Sequence, residues 1–445
     1  EDFCAQYLHD GWWGIRSDGS SEPYALICIQ DGTFLGAIDA PPKLAAAYPN
    51  SGTYENGIYR EGDVRLSDLS GRRRLPIGRD GFAAAVQESV IIDKSLLIAD
   101  VLDSSAAVTL FCRPRRFGKS LNMTMLKAFF EIPPASDPNA EDAAYLFEGL
   151  SIWDAGGGRY REYQGAYPVI YISFNPVKKQ RWEDAKSALR QLIVWEYIRH
   201  GYLSDSSELN EQERAYFDRV AGWKATDGDI ESSLINLTRL LFKHHGRRTV
   251  VLIDEYDVPL ENAYLHGFYD NMIGFIRSLF ESALKTNPYL EKGVITGCLR
   301  ISKESIFTGL NNLETDSVLH TRYADSFGFT EDEVKAMLAY YDLAAELPEV
   351  KRWYDGYLFN ETEIYNPWSI INYVYDRNRK ITQFALPYWS NSSSNSIIRE
   401  MVGEADEEDR ADLETLINGG AIEKRAHEDI TYGDIHQSQY NLWNF

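Results

Sequence analysis

Cysteine is scarce in this chain: Cys4, Cys28, Cys112 and Cys298 are the four in 445 residues, and none belongs to a C-x-x-C pair. That excludes a compact zinc or dithiol motif and reads as a reduced, cytoplasmic protein in which Cys112 and Cys298 are small apolar side chains of core strands. The eight histidines are scattered, and the adjacent pair, His244-His245, would point about 100° apart on a helix, so it cannot share a metal. No apolar run approaches the length of a membrane span, and no charged, apolar, small-residue leader opens the sequence. Positive charge is in deficit, with 45 Lys and Arg against 67 Asp and Glu, a net charge of −22. Such acidity argues against a surface that coats nucleic acid and leaves only local basic patches. Of the two patches, Arg72-Arg73-Arg74 reads as a solvated linker, while Arg113, Arg115 and Arg116 read as facing phosphate. No internal repeat, Ser-His-Asp order or paired-carboxylate spacing is supported. Against these absences, 44% hydrophobic and 13% aromatic residues are enough for sizeable cores in two or three domains.

The chain does contain Arg113-Pro114-Arg115-Arg116-Phe117-Gly118-Lys119-Ser120, directly after the apolar run Val108 to Cys112 and before a helix opening at Leu121. Strand, loop and helix are the context in which Gly-Lys-Ser cradles phosphate: backbone N–H groups at the helix N-terminus attract the anion. Lys119 then reaches the β- and γ-phosphates, and the Ser120 hydroxyl ligates Mg2+. The loop is irregular, since the first glycine of G-x-x-x-x-G-K-[ST] would stand at position 113, which is arginine. Arg113 either turns away from a nucleotide or contacts it.

A second motif, Thr249-Val250-Val251-Leu252-Ile253-Asp254-Glu255, is apolar on both faces and ends in two acids, the pattern of a central parallel strand whose C-terminal end faces ligand. Asp254 is placed to hold Mg2+, and Glu255 to orient or deprotonate the attacking water. A third strand ends in Thr296-Gly297-Cys298-Leu299-Arg300. Thr296 is either a sensor of the γ-phosphate or a buried threonine bonded to backbone, and Arg300 either a transition-state cation or half of a structural salt bridge. Asp257 is either a turn acid before Pro259 or a support for Arg115, Arg116 and the metal shell.

Organisation follows from composition. Residues 1–70, with Trp12-Trp13-Gly14 and short alternating runs between turn residues, predict a small β-rich module in which the tryptophans pack a core. From 75 to 329 strand and helix alternate, predicting a mostly parallel α/β sheet flanked by helices. Strands are expected at Val108 to Cys112, Pro168 to Phe174, Thr249 to Ile253 and Gly293 to Leu299, with a fifth near Tyr323 to Phe329. Helices are expected at Trp182 to His200, Glu231 to His245 and Asn271 to Thr286, and Ser204 to Gly228 is expected to be a surface excursion. Thr330-Glu331-Asp332-Glu333 is a capping box opening a small helical lid domain over 330–402, followed by an acidic linker over 403–445.

Taken together, these residues resemble the bacterial AAA-ATPase-like family, P-loop NTPases often fused to a C-terminal PD-(D/E)xK nuclease-like domain. The matching stretches are Leu75-Pro76-Ile77-Gly78, Ile92-Asp93-Lys94-Ser95, Arg113 to Ser120, Leu252 to Asp257, Ser305 to Leu313, Trp353-Tyr354-Asp355-Gly356-Tyr357 and Tyr365-Asn366-Pro367-Trp368-Ser369. The family's phosphate loop commonly reads Arg-Pro-Arg-Arg-Phe-Gly-Lys-Ser, which makes Arg113 a family trait. The resemblance implies ATP and Mg2+ as cofactors and residues 113–121 as the nucleotide loop. Ser120 and Asp254 become metal contacts and Lys119 and Glu255 catalytic candidates, joined by Thr296 and Arg300 from their position at the strand end alone. The activity implied is ATP hydrolysis by a switch acting with a protein partner or effector domain, as a monomer or an oligomer. A nucleotide-binding interaction module with little turnover and an ATP-dependent nucleic-acid-processing enzyme are the alternatives. Residues 1–70 have no counterpart in the family. Residues 416–445 read as the lead-in to a nuclease-like domain, so the chain is expected to be part of a longer protein and to lack nuclease activity itself.

Overall fold

A computed structural model describes residues 53–79, 81–133, 143–299, 306–307, 312–390, 401–403, 405–424 and 443, together with four strands within 3–38. Those strands, β1 (Phe3–His9), β2 (Trp12–Ser17), β3 (Ala25–Gln30) and β4 (Thr33–Ile38), form an antiparallel sheet in sequence order. The packing expected of Trp12 and Trp13 lies outside the described residues, as do Arg300 and most of the stretch 305–313.

The next strands do not belong to that sheet. β5 (Thr53–Glu55), β6 (Ile58–Glu61) and β7 (Val64–Ser67) continue as an antiparallel ribbon whose last strand pairs with β8 (Ile91–Ile92), Leu66 opposite Ile92 and Ser67 opposite Ile91. The turn at residue 70 therefore lies inside a sheet. Of the arginine run there, Arg72 and Arg74 are exposed as a solvated stretch would be, but Arg73 lies 4.5 Å from the ring centre of Tyr340 and 3.8 Å from the Asp342 carboxylate.

The main body is a five-stranded, wholly parallel sheet made of β9 (Val108–Cys112), β10 (Val169–Ser173), β11 (Thr249–Asp254), β12 (Leu290–Gly297) and β13 (Leu313–Asp316). Its order is β10-β11-β12-β9-β13. All six residues of β11 are buried because helices cover both faces. Val251 and Ile253 join the core under the helices Trp182–Arg199, Ser233–His245 and Tyr269–Leu284, whereas Val250 and Leu252 face the core under Lys119–Phe130. At about 1.5–3 kcal/mol for each fully buried aliphatic side chain, this strand alone is a strong reason for the sheet to close.

Two expectations for this body are corrected. The fifth strand is β13, not residues 323–329. The sequence Leu-Glu-Thr-Asp of β13 carries no apolar run, since it is a short, half-buried edge. Tyr323 and Phe327 instead pack edge-on and tilted against Phe111, and the turn they form lends its carbonyls to other side chains. The expected excursion over 204–228 carries the helix Glu211–Ala221, whose Phe217 and Val220 enter the core; its N-cap, Asn210, forms a capping box with Glu213.

After β14 (Phe329–Thr330) the capping box forms as expected, with Thr330 Oγ1 accepting from the Glu333 amide at 3.3 Å and Glu333 accepting from the Thr330 amide at 2.7 Å. This second body is not wholly helical. Its helices Glu331–Tyr340, Leu347–Tyr354 and Pro367–Asn378 surround an antiparallel sheet of β14, β15 (Asp355–Phe359) and β16 (Thr362–Tyr365), turned at Asn360 with φ of 51°. Its core also contains Tyr59, Leu66, Val90 and Ile92, so the N-terminal ribbon packs with it.

Candidate functional site

β9 delivers the chain to the loop Arg113 to Ser120 at the sheet's C-terminal edge, between β12 and β13. Arg116 (φ 68°) and Gly118 (φ 81°) are both left-handed, and Gly118 caps the helix Lys119–Phe130. A Cβ at Gly118 would meet nothing within 4 Å, so the glycine serves backbone conformation, and open space lies above it. Phe117 is buried and anchors the loop, its ring centre 4.8 Å from that of Tyr357 and its carbonyl accepting from the Gly328 amide at 3.2 Å.

Arg113 answers the question raised by its position. Its side chain is fully buried and leaves the loop for the far side of β9, donating to the carbonyls of Cys112 (3.0 Å), Asp316 (3.1 Å) and Tyr323 (3.1 Å) and to the Asp316 carboxylate. The rings of Phe327 and Phe359 lie 5.2 and 5.3 Å from its guanidinium. Burial pushes Arg113 below and Asp316 above their ordinary values, each partly held back by the other, so desolvation outweighs the attraction within the pair.

β11 delivers the acids. Asp254 is 1% exposed, and its Oδ1 accepts from Thr296 Oγ1 at 2.6 Å. Thr296 Oγ1 in turn accepts from the Glu255 amide at 3.3 Å. Glu255 has φ of 53°, an unusual conformation for glutamate that turns the chain at the strand end. Burial, and then the neighbouring Asp254, raise the proton affinity of Glu255, opposed by Lys119. Asp257 is buried on the next turn, its Oδ2 accepting from the amides of Cys298 (2.7 Å) and Leu299 (3.3 Å).

These elements enclose a cavity of about 750 Å³. Its wall contains Arg115, Arg116, Phe117, Gly118, Lys119, Ser120, Leu121 and Glu255 from the sequence-derived set. It does not contain Arg113, Pro114, Asp254 or Thr296. Thr296 is wholly buried and acts on Asp254, and the Pro114 carbonyl accepts from Lys119 Nζ at 2.9 Å. Lys119 also donates to the Arg113 carbonyl at 3.0 Å, so its ammonium rests on the loop's own acceptors.

The wall also includes residues that motif reading missed. Glu261 holds Arg115, and Cys298, expected to be an inert core residue, lies 3.6 Å from Lys119 Nζ. Asn175 and Lys178 follow β10. Pro76, Met337, Pro367, Trp368 and Ile371 supply apolar surface from the N-terminal segment and the second body. Asn366 caps the helix that begins at Pro367, its Oδ1 accepting from the Ser369 amide at 3.2 Å, and this holds Trp368 beside the loop. Periodicity could not identify any of these, and the family stretches cover only Pro76, Pro367 and Trp368; Glu261, Cys298, Asn175, Lys178, Met337 and Ile371 lie outside them.

The family model described as Predicted AAA-ATPase matches residues 76–307, a span that begins at the cavity's Pro76 and includes the loop, the acids and the end of β12. The chain belongs to the AAA-ATPase-like family. A curated relative, an uncharacterized protein in the vnfD 5′ region of Azotobacter chroococcum mcd 1, is 26% identical over 336 residues. That match covers 75% of this chain and 57% of the relative, so the chain spans little more than half the relative's length. No solved structure matches. Among the described residues of this AAA-ATPase-like chain, no helix is long and apolar enough to cross a membrane.

Proposed function

We propose that the chain binds ATP with Mg2+ in this cavity and hydrolyses it, acting as a switch in which the second body responds to the nucleotide. The observation that carries this reading is a single cavity wall combining a left-handed Gly-Lys-Ser loop at a helix N-terminus, buried carboxylates and an apolar surface containing Trp368. A bare phosphate would need only the first of these. A nucleoside triphosphate uses all three, its base on the apolar wall and its phosphates on the loop.

When bound, ATP would bring the electrophilic γ-phosphorus, and Mg2+, held by Ser120 with support from Asp254, would supply positive charge to offset that developing on the phosphates. The loop amides bind the β-phosphate, and Lys119 exchanges its two carbonyl partners for phosphate oxygens. The Ser120 hydroxyl would be a ligand for the cation, and Thr296 fixes the Asp254 carboxylate, which would add negative charge on the cation's side of the site. Glu255, whose raised proton affinity suits a general base, orients the attacking water and takes its proton.

The fit extends to the signal. Phe117 is wedged against β15, and Arg116 is stacked on Trp368, so a change in the loop acts directly on the second body. ATP turnover by the wild type, Lys119→Ala and Glu255→Gln is the test. Loss of turnover in both variants, with ATP binding retained by Glu255→Gln, is expected; equal rates in all three would overturn the hydrolytic reading.

A further inference from the structure

Asp254 is the acid expected to meet the metal, yet it is not on the cavity wall and its Oδ1 is taken by Thr296. Of the carboxylates that are on the wall, Glu261 is paired with Arg115. Asp257 differs from both. It precedes the helix Val258–Leu265 but makes no side-chain cap there, because the side chain turns to the end of β12. One oxygen, Oδ2, is used by the two β12 amides, while Oδ1 is buried without any hydrogen-bond partner. The residue is 5% exposed, and burial raises its proton affinity, opposed by the Cys298 amide, Lys119, its own amide and the Leu299 amide. A buried carboxylate oxygen with no donor is costly to leave so.

The backbone makes room for this arrangement. Gly297 lies where a Cβ would come within 3.1 Å of Asp257 Cγ and 2.5 Å of the Tyr256 ring. Any larger residue there would push Asp257 off the strand end.

We propose that Asp257, through Oδ1, accepts from a water of the hydrated Mg2+ that arrives with the nucleotide, while Asp254 acts one layer behind. The proposal rests on the nucleotide reading of the cavity. Mg2+ fits this role because it gives up its water reluctantly and is held by one or two carboxylates together with substrate phosphates. Among the described residues no group of three His, Cys, Asp or Glu is placed to cage a metal alone, which agrees with a cation that enters bridged to phosphate. In Asp257→Asn the amide oxygen faces the two β12 N–H groups and an NH2 replaces the free acceptor.

The test is ATP affinity by calorimetry, in Mg2+ and in EDTA. In the wild type Mg2+ tightens ATP binding. In Asp257→Asn that tightening shrinks by about tenfold, equivalent to about 1.4 kcal/mol, while the affinity in EDTA is kept or improved. Asp257→Ser, which keeps an acceptor for the amides without the charge, gives the same result if the asparagine variant fails to fold. An equal loss of affinity with and without Mg2+ would make Asp257 a structural tie and overturn the proposal. If Asp254→Asn removes the Mg2+ effect and Asp257→Asn preserves it, the order of the two acids is reversed and the proposal also falls. A wild type that binds ATP under neither condition overturns the nucleotide reading beneath it.

Discussion

The guanidinium of Arg116 lies 4.0 Å from the ring centre of Trp368. One residue belongs to the phosphate loop and the other to the first turn of a helix in the second body, and both are on the cavity wall. The indole N–H is used elsewhere, donating to the Tyr388 carbonyl at 3.0 Å, which fixes the plane of the ring. On the proposed nucleotide reading, this held aromatic plane beside the Gly-Lys-Ser loop is where the base would stack.

Trp368→Ala is therefore expected to weaken ATP by about 1–3 kcal/mol, the usual worth of base–aromatic stacking. Inorganic tripolyphosphate, which has no base, should bind wild type and variant alike. Calorimetric titration of both ligands checks this. A parallel loss for both would assign Trp368 to holding the loop through Arg116 alone.

The buried pair Arg113–Asp316 makes the entrance of the loop part of the core. Arg113→Met leaves the Asp316 carboxylate buried without its partner and should cost about 3–5 kcal/mol in denaturant unfolding. The double variant Arg113→Met, Asp316→Leu should recover part of that loss, because burial already outweighs attraction within the pair. A double variant less stable than either single one would show instead that the ion pair is a net source of stability.

Glu255 links stability to pH. Its folded proton affinity is raised, so in the folded chain it holds a proton at pH values where the unfolded chain has released it. That contribution is fully present below the ordinary glutamate pKa and is lost as pH rises through the raised one. Glu255→Gln should consequently raise the melting temperature of the ligand-free protein at neutral pH, and the gain should shrink as pH falls into the acid range. Scanning calorimetry at several pH values reads this directly. A variant that melts lower at neutral pH would mean that the charged form is favoured by the fold.

Much of this was legible in the sequence where a strand is buried on both faces. The run from Thr249 to Asp254 declared both its conformation and its chemical end, and Gly118-Lys119-Ser120 declared the loop. β13 was not legible, since a four-residue edge strand with a glutamate in it has no periodicity to read, while the aromatic run at 323–327 imitated one. The hairpin β15–β16 was hidden for a related reason: its turn uses Asn360 and Glu361 rather than a glycine pair. Asp254 and Thr296 were legible as polar strand ends, but not their bond to each other or their depth behind the wall, which depend on how β12 settles beside β11. Trp368 and Pro76, 292 residues apart along the chain, meet only once the second body has folded.

The pairing of β7 with β8 decides how this protein can be divided. Leu66 is wholly buried, Tyr340 donates to Asp68 Oδ2 at 2.7 Å, and Tyr59 packs edge-on to Tyr340 at 5.2 Å. An expression boundary placed at the phosphate-loop body, near residue 75, would cut away a strand and strip a core face from the second body. The smallest unit worth producing for nucleotide work therefore begins ahead of Ile58, well upstream of where the family match starts.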